Sequence, residues 1–121
     1  MMRPGLEEVR LHKLLVSMSL ALAAISWPAV AAYHDGKDLL QDCVSSSEIE
    51  KIYCLGYVVG IADAMDLGRS RNNKPACIPK GVKPSEIRGV VIKTMQDHPE
   101  AQSKDAAELV FYAIRQNWKC Q

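Results

Sequence analysis

The chain has 121 residues, with fifteen lysines and arginines against fourteen acids. That length admits one domain of ordinary size and a modest core. Near-neutral charge argues against a generic nucleic-acid or anionic-membrane binder, which needs a basic excess to displace counterions.

The N-terminus opens with Arg3, Arg10, His12 and Lys13, continues as an uncharged apolar run from Leu14 to Ile25, and reaches Trp27-Pro28 before Ala29-Val30-Ala31-Ala32. A positive region, an apolar core and a small-residue cleavage site in that order predict a secretory signal peptide over residues 1–32, cut near Ala31 or Ala32. The alternative is an uncleaved anchor, but the run is shorter than the ~20 residues that span a bilayer, and Pro28 interrupts it. The first cysteine is Cys43, well past the cut, which argues against a lipid-modified N-terminus. Cleavage would leave residues 33–121 with twelve basic and twelve acidic side chains, a neutral product exported to the periplasm with no stable membrane association. All four cysteines, Cys43, Cys54, Cys77 and Cys120, lie in that part, and an even number in an oxidising compartment reads as two disulfides. Metal binding is the rival use; the chain has no CxxC pair, and after the cut only His34 and His98 could add nitrogen ligands. No metal and no cofactor are expected.

Leu39, Leu40, Cys43 and Val44 recur at helical spacing and predict a short first helix ending at Ser45-Ser46-Ser47. Ser47 and Glu50 have the spacing of a capping box, so a second helix starts there and runs to about Leu67. Its expected buried stripe is Ile52, Leu55, Gly56, Val59, Ala62 and Ala64. Gly56 and Gly60, one turn apart, each cost about 1 kcal/mol against alanine, so either another backbone packs closely on them or both are simply tolerated. Asp63 and Asp66 sit toward the helix's negative end, where Arg69 or Arg71 could compensate them.

The stretch from Gly68 to Lys83 lacks apolar periodicity and reads as one long loop. It holds Arg69, Arg71, Lys74, Lys80 and Lys83 and no acid. It is either a solvated connection or a basic recognition loop, with Arg69, Arg71, Asn72, Asn73 and Lys74 as the candidate partner-binding residues. Pro84 and Glu86 suit the start of a third helix, in which Ile87, Val90, Val91, Thr94 and Met95 repeat until Asp97-His98-Pro99. His98 there reads as a cap rather than a catalyst. A fourth helix carries Ala106, Leu109, Val110, Ala113, Ile114 and Trp118.

No segment alternates with period two for long enough to make a strand, so the expected fold is all-α: a small four-helix bundle of two helical hairpins. Antiparallel packing would bring Cys43 to Cys54 and Cys77 to Cys120, although four cysteines allow three pairings. Chemistry is scarce. The chain has no GxSxG elbow, SxxK pair, HExxH pair or phosphate-cradling loop, and the carboxylate pairs Asp63/Asp66 and Asp97/Glu100 have spacings common on helix surfaces. A binding protein fits these residues better than an enzyme.

The series Cys54-Leu-Gly-Tyr-Val-Val-Gly-Ile-Ala-Asp63-Ala, Cys77-Ile-Pro79 with Gly81-Val82, His98-Pro-Glu100, and Leu109-Val110 before Cys120 resembles the Rap/Tai-type immunity protein family. These are periplasmic proteins that neutralise peptidoglycan amidase toxins delivered by type VI secretion. The resemblance covers nearly all of residues 33–121. It implies a helical, often dimeric inhibitor that occludes the cleft of a cysteine-histidine amidase, so the partners to expect are a cell-wall amidase effector and a second copy of the chain. The motif residues Gly56, Tyr57, Gly60, Asp63, Pro79, His98 and Pro99 read as determinants of the fold. Two departures stand out: Lys83 where the family tends to have a hydroxyl residue, and Trp118-Lys119-Cys120 in place of a more apolar or proline-bearing end. A small periplasmic acid-stress chaperone or a structural helical domain is the alternative function.

Overall fold

The computed structural model describes residues 33–120 together with Gly5, Glu8, Arg10 and Lys13. The signal-peptide segment therefore lies almost wholly outside the described residues. The chain divides into two units, Met1–Ala31 and Ala32–Gln121.

Four helices form the second unit: α1 (Gly36–Val44), α2 (Glu48–Arg71), α3 (Pro84–Asp97) and α4 (Ala106–Trp118), with a single 3-10 turn at Pro99–Ala101 between the last two. Among the described residues there is no strand, only an isolated bridge between Asp35 and Asp105. Each helix packs against every other, so one core serves all four. Leu39 and Cys43 enter it from α1, Cys54, Val58, Ala62 and Met65 from α2, Ile87, Val91 and Met95 from α3, and Ala106, Leu109, Val110, Ala113 and Ile114 from α4. Both disulfides are those expected, Cys43–Cys54 joining α1 to α2, and Cys77–Cys120 joining the segment before α3 to the end of the chain after α4. In the chain-entropy model the shorter loop contributes about 3 kcal/mol and the longer about 4.

Helices α3 and α4 bury the faces that periodicity assigns them. Helix α2 does not. Ile52 is 67% exposed, and Gly56 and Ala64 also face solvent. Apolar residues surround this helix on several sides, so periodicity leaves its phase open, and the tether at Cys54 fixes it with Val58, Ala62 and Met65 in line below. Val44, expected inside, is likewise exposed at the end of α1.

The caps differ from expectation in instructive ways. Ser47 Oγ accepts the Glu50 N–H at 3.5 Å, but the Ser47 N–H goes to Ser45 Oγ at 3.0 Å, so only half of the capping box forms. At α3 the missing half is the other one. Glu86 accepts the Lys83 N–H at 2.7 Å, and lysine, which has no acceptor, cannot reciprocate. Asp35 and Asp105 cap α1 and α4 by accepting from Asp38 N–H and Ala107 N–H, each at 2.8 Å.

His34 is tied into the fold. Gly36 N–H donates to Lys104 O and Lys37 N–H to Gln102 O, both at 2.9 Å, and Ala106 N–H donates to His34 O at 3.0 Å. Gln102 in turn donates its side-chain amide to Met95 O. Residues 34–37 are thus strapped across the corner between α3 and α4. The His34 ring meets Tyr53 Oη at 2.6 Å and stands edge-on to Tyr57.

Candidate functional site

The candidate site lies at the C-terminal end of α2. The helix runs one turn further than its apolar pattern, so Arg69 and Arg71 belong to its last turn, where positive charge complements the helix dipole. Lys74 N–H then bonds Arg69 O and Asn73 N–H bonds Ser70 O, the two bonds of a Schellman ending. Asn73 occupies the left-handed position at φ 54°, which asparagine tolerates better than most residues.

Part of the polar equipment builds this turn. The Asn72 amide donates to Gly68 O at 2.8 Å, and Arg69 Nε donates to Pro75 O at 2.7 Å. Arg71, Asn73 and Lys74 are exposed beside them. Asp66 accepts the Cys77 N–H at 2.8 Å, so its charge is met by a backbone donor of the following segment. That bond and the Cys77–Cys120 disulfide hold the basic turn against the bundle.

The motif residues are spread over the molecule. Tyr57 is half-buried near His34; burial pushes its phenol above the usual range, and the charges of Asp105 and Tyr53 add to the effect. Gly56 and Gly60 are exposed, and a Cβ at either would meet nothing within 4 Å, so among the described residues no element packs on them. Asp63 and Pro79 are exposed as well. His98 ends α3, its backbone N–H bonding Thr94 O, while its Nδ1 lies 3.3 Å from Glu100 Oε1. The Glu100 carboxyl is held below its usual range, mainly by a bond from its own backbone N–H and then by His98.

Sequence reasoning passed over Phe111 and Arg115. The Arg115 guanidinium sits 5.6 Å from the centre of the Phe111 ring, and both side chains are exposed on the outer face of α4. With Met65, Arg69, Lys74 and Cys120 they line a groove of about 400 Å³ beside the basic turn. The signal was present: a helix that buries Leu109, Val110, Ala113 and Ile114 must turn Phe111 and Arg115 outward. Among the described residues no group of three or more His, Cys, Asp or Glu side chains is placed to hold a metal ion.

The model of a family described as Rap1a immunity proteins matches residues 35–120, a span that takes in all four helices and both disulfides. The chain belongs to the Rap1a immunity protein family. No curated protein and no solved structure matches it. A Rap1a immunity protein implies a cognate toxin as its binding partner. No helix among the described residues of this Rap1a chain is long and apolar enough to cross a membrane.

Proposed function

We propose that the protein is a periplasmic immunity protein that inhibits a peptidoglycan amidase toxin of a type VI secretion system by occluding its active-site cleft. The observation that carries this reading is the family match across the whole disulfide-bonded bundle. The N-terminal pattern and the two disulfides support export to an oxidising compartment.

Occlusion needs a rigid scaffold and an exposed segment held in place, because a preorganised inhibitor loses little entropy on binding. The basic turn from Arg69 to Lys74 is the segment we assign. Its backbone is closed by the Schellman bonds and its base is held by Asp66 and the second disulfide, so its cations are presented without ordering a loop. Guanidinium and ammonium groups there can engage carboxylates and carbonyls around an amidase cleft.

The double change Arg69→Glu with Arg71→Glu is expected to weaken the toxin complex by at least about a hundredfold, the effect of reversing two charges in a contact. The helices should stay folded by circular dichroism, and Arg71→Glu alone, which keeps the Arg69 Nε bond to Pro75 O, should weaken the complex in the same direction. An unaltered complex, with cells still protected, would place the toxin contact elsewhere.

A second copy of the chain is the further partner we assign, on the outer face of α2. Ile49 at 81% exposure, Ile52 at 67% and Leu67 at 54% lie on one face there, with Gly56 and Gly60 between them and exposed Asp63 as its one charge. Two glycines one turn apart let a second helix come close.

A further inference from the structure

The groove between the end of α2 and the outer face of α4 is built differently from the basic turn that borders it. Met65, 8% exposed, and Phe111, 42% exposed, supply its apolar surface, and Arg69, Lys74 and Arg115 line it as well. No carboxylate is among its described lining residues. The nearest acid on α2, Asp66, is bonded to the Cys77 N–H, and Glu108 lies in the adjoining depression that Phe111 and Arg115 share with Tyr112. In a chain whose residues 33–121 carry equal numbers of acids and bases, three cations around an apolar groove are a local excess.

Arg115 is oriented by its neighbour. Its guanidinium carbon is placed over the Phe111 ring, 5.6 Å from the ring centre, a cation–π distance that sets the group at the edge of the groove. Arg69 is engaged with Pro75 O and shapes the wall. Lys74 stands exposed just after the Schellman ending, on backbone that is already fixed. The volume of about 400 Å³ lies within the ~300–1,000 Å³ typical of ligand clefts.

We propose that this groove binds an acidic, apolar segment of the partner toxin, with an aromatic or branched aliphatic side chain against Phe111 and Met65 and a neighbouring carboxylate held by Lys74 and Arg115. The inference rests on the immunity reading for the identity of the partner. It adds a second contact on α4 to the basic turn, and it specifies that contact's chemistry: a carboxylate beside an apolar side chain.

The probes are two end-capped tetrapeptides with the same apolar centre, Glu-Leu-Phe-Asp and Lys-Leu-Phe-Lys, titrated into isotopically labelled protein expressed as the full chain through its own export. The acidic peptide should shift the amides of Met65, Lys74, Phe111 and Arg115 saturably at millimolar concentration, and the basic one should not. Arg115→Glu should weaken the acidic peptide at least about tenfold, the loss of one charge-assisted hydrogen bond. Lys37→Glu, exposed on α1 and not among the residues of the groove or the basic turn, should change it by less than about twofold, as expected of a screened, non-contacting charge. No saturable shift, an equal response to both peptides, or a response indifferent to Arg115→Glu overturns the proposal. The toxin complex separates the two readings. If Arg71→Glu abolishes it while Arg115→Glu and Phe111→Ala leave it intact, the groove assignment falls and the immunity reading stands. If the toxin fails to bind although the acidic peptide saturates the groove, the immunity reading falls and the chemistry of the groove stands.

Discussion

At Gly36 a Cβ would collide with Leu109 Cδ1 and sit 3.1 Å from the Gln102 Cα, because the strap from His34 to Lys37 lies directly on the α3–α4 corner. Gly36→Ala should therefore cost about 1–3 kcal/mol, the range for overpacking. Gly60→Ala, with open space around it, should stabilise the monomer by up to about 1 kcal/mol through helix propensity. Urea denaturation of both variants checks the pair, and a neutral Gly36→Ala would mean that the strap is looser than its hydrogen bonds require. Sequence reasoning attended to Gly56 and Gly60 because mid-helix glycines are costly, whereas Gly36 looks like an ordinary helix start. Close approach is a tertiary fact that no local pattern carries. Tyr57 offers a second residue-level test. Burial raises its pKa in the folded state, so the folded form keeps the proton longer than the unfolded form does. Its contribution to stability is complete below the usual tyrosine pKa and is lost as pH rises through the raised value. Tyr57→Phe should flatten that alkaline loss, read from denaturation midpoints across the alkaline range; identical slopes in both proteins would contradict it.

At the scale of elements, α3 and α4 were legible because their apolar residues fall on one face and their ends carry punctuation in Pro84, His98-Pro99 and the final cysteine. Helix α2 was legible in existence and not in phase. Ile49, Ile52 and Leu67 are as apolar as the residues it buries, and the face that turns inward is the one carrying Cys54, bonded to α1. The same ambiguity hid the end of the helix. Gly68, Ser70 and the two arginines resemble loop residues, yet the helix keeps its hydrogen bonds to Arg71 and closes through Asn73. The exposed face of Ile49, Ile52 and Leu67 is where we place the proposed self-contact. Ile52→Asp should leave only monomers in sedimentation velocity with the fold intact, since Ile52 makes no part of the core. Dimers that persist in that variant would place the self-contact on another surface.

For the whole molecule, the expected antiparallel hairpins favoured the two disulfide pairings found without excluding the other two that four cysteines allow; Cys77–Cys120 ties the chain beside the basic turn, and Cys43–Cys54 joins α1 to the buried face of α2. The candidate site was legible only in part. The concentration of positive charge from Arg69 to Lys74 is visible in the sequence, but its partner across the groove, Phe111 with Arg115, is about forty residues away and comes into place only when α4 packs beside the end of α2. Complementarity to a toxin is a property of two surfaces, which is why charge pattern and family membership specify a kind of partner more readily than a contact map. The central claim is inhibition. The most direct measurement is the hydrolysis of purified peptidoglycan by the cognate amidase toxin as the disulfide-bonded protein is added. We expect activity to fall linearly and vanish at an equimolar ratio, as for a tight stoichiometric inhibitor. Undiminished hydrolysis at a large excess of correctly folded protein would contradict that claim.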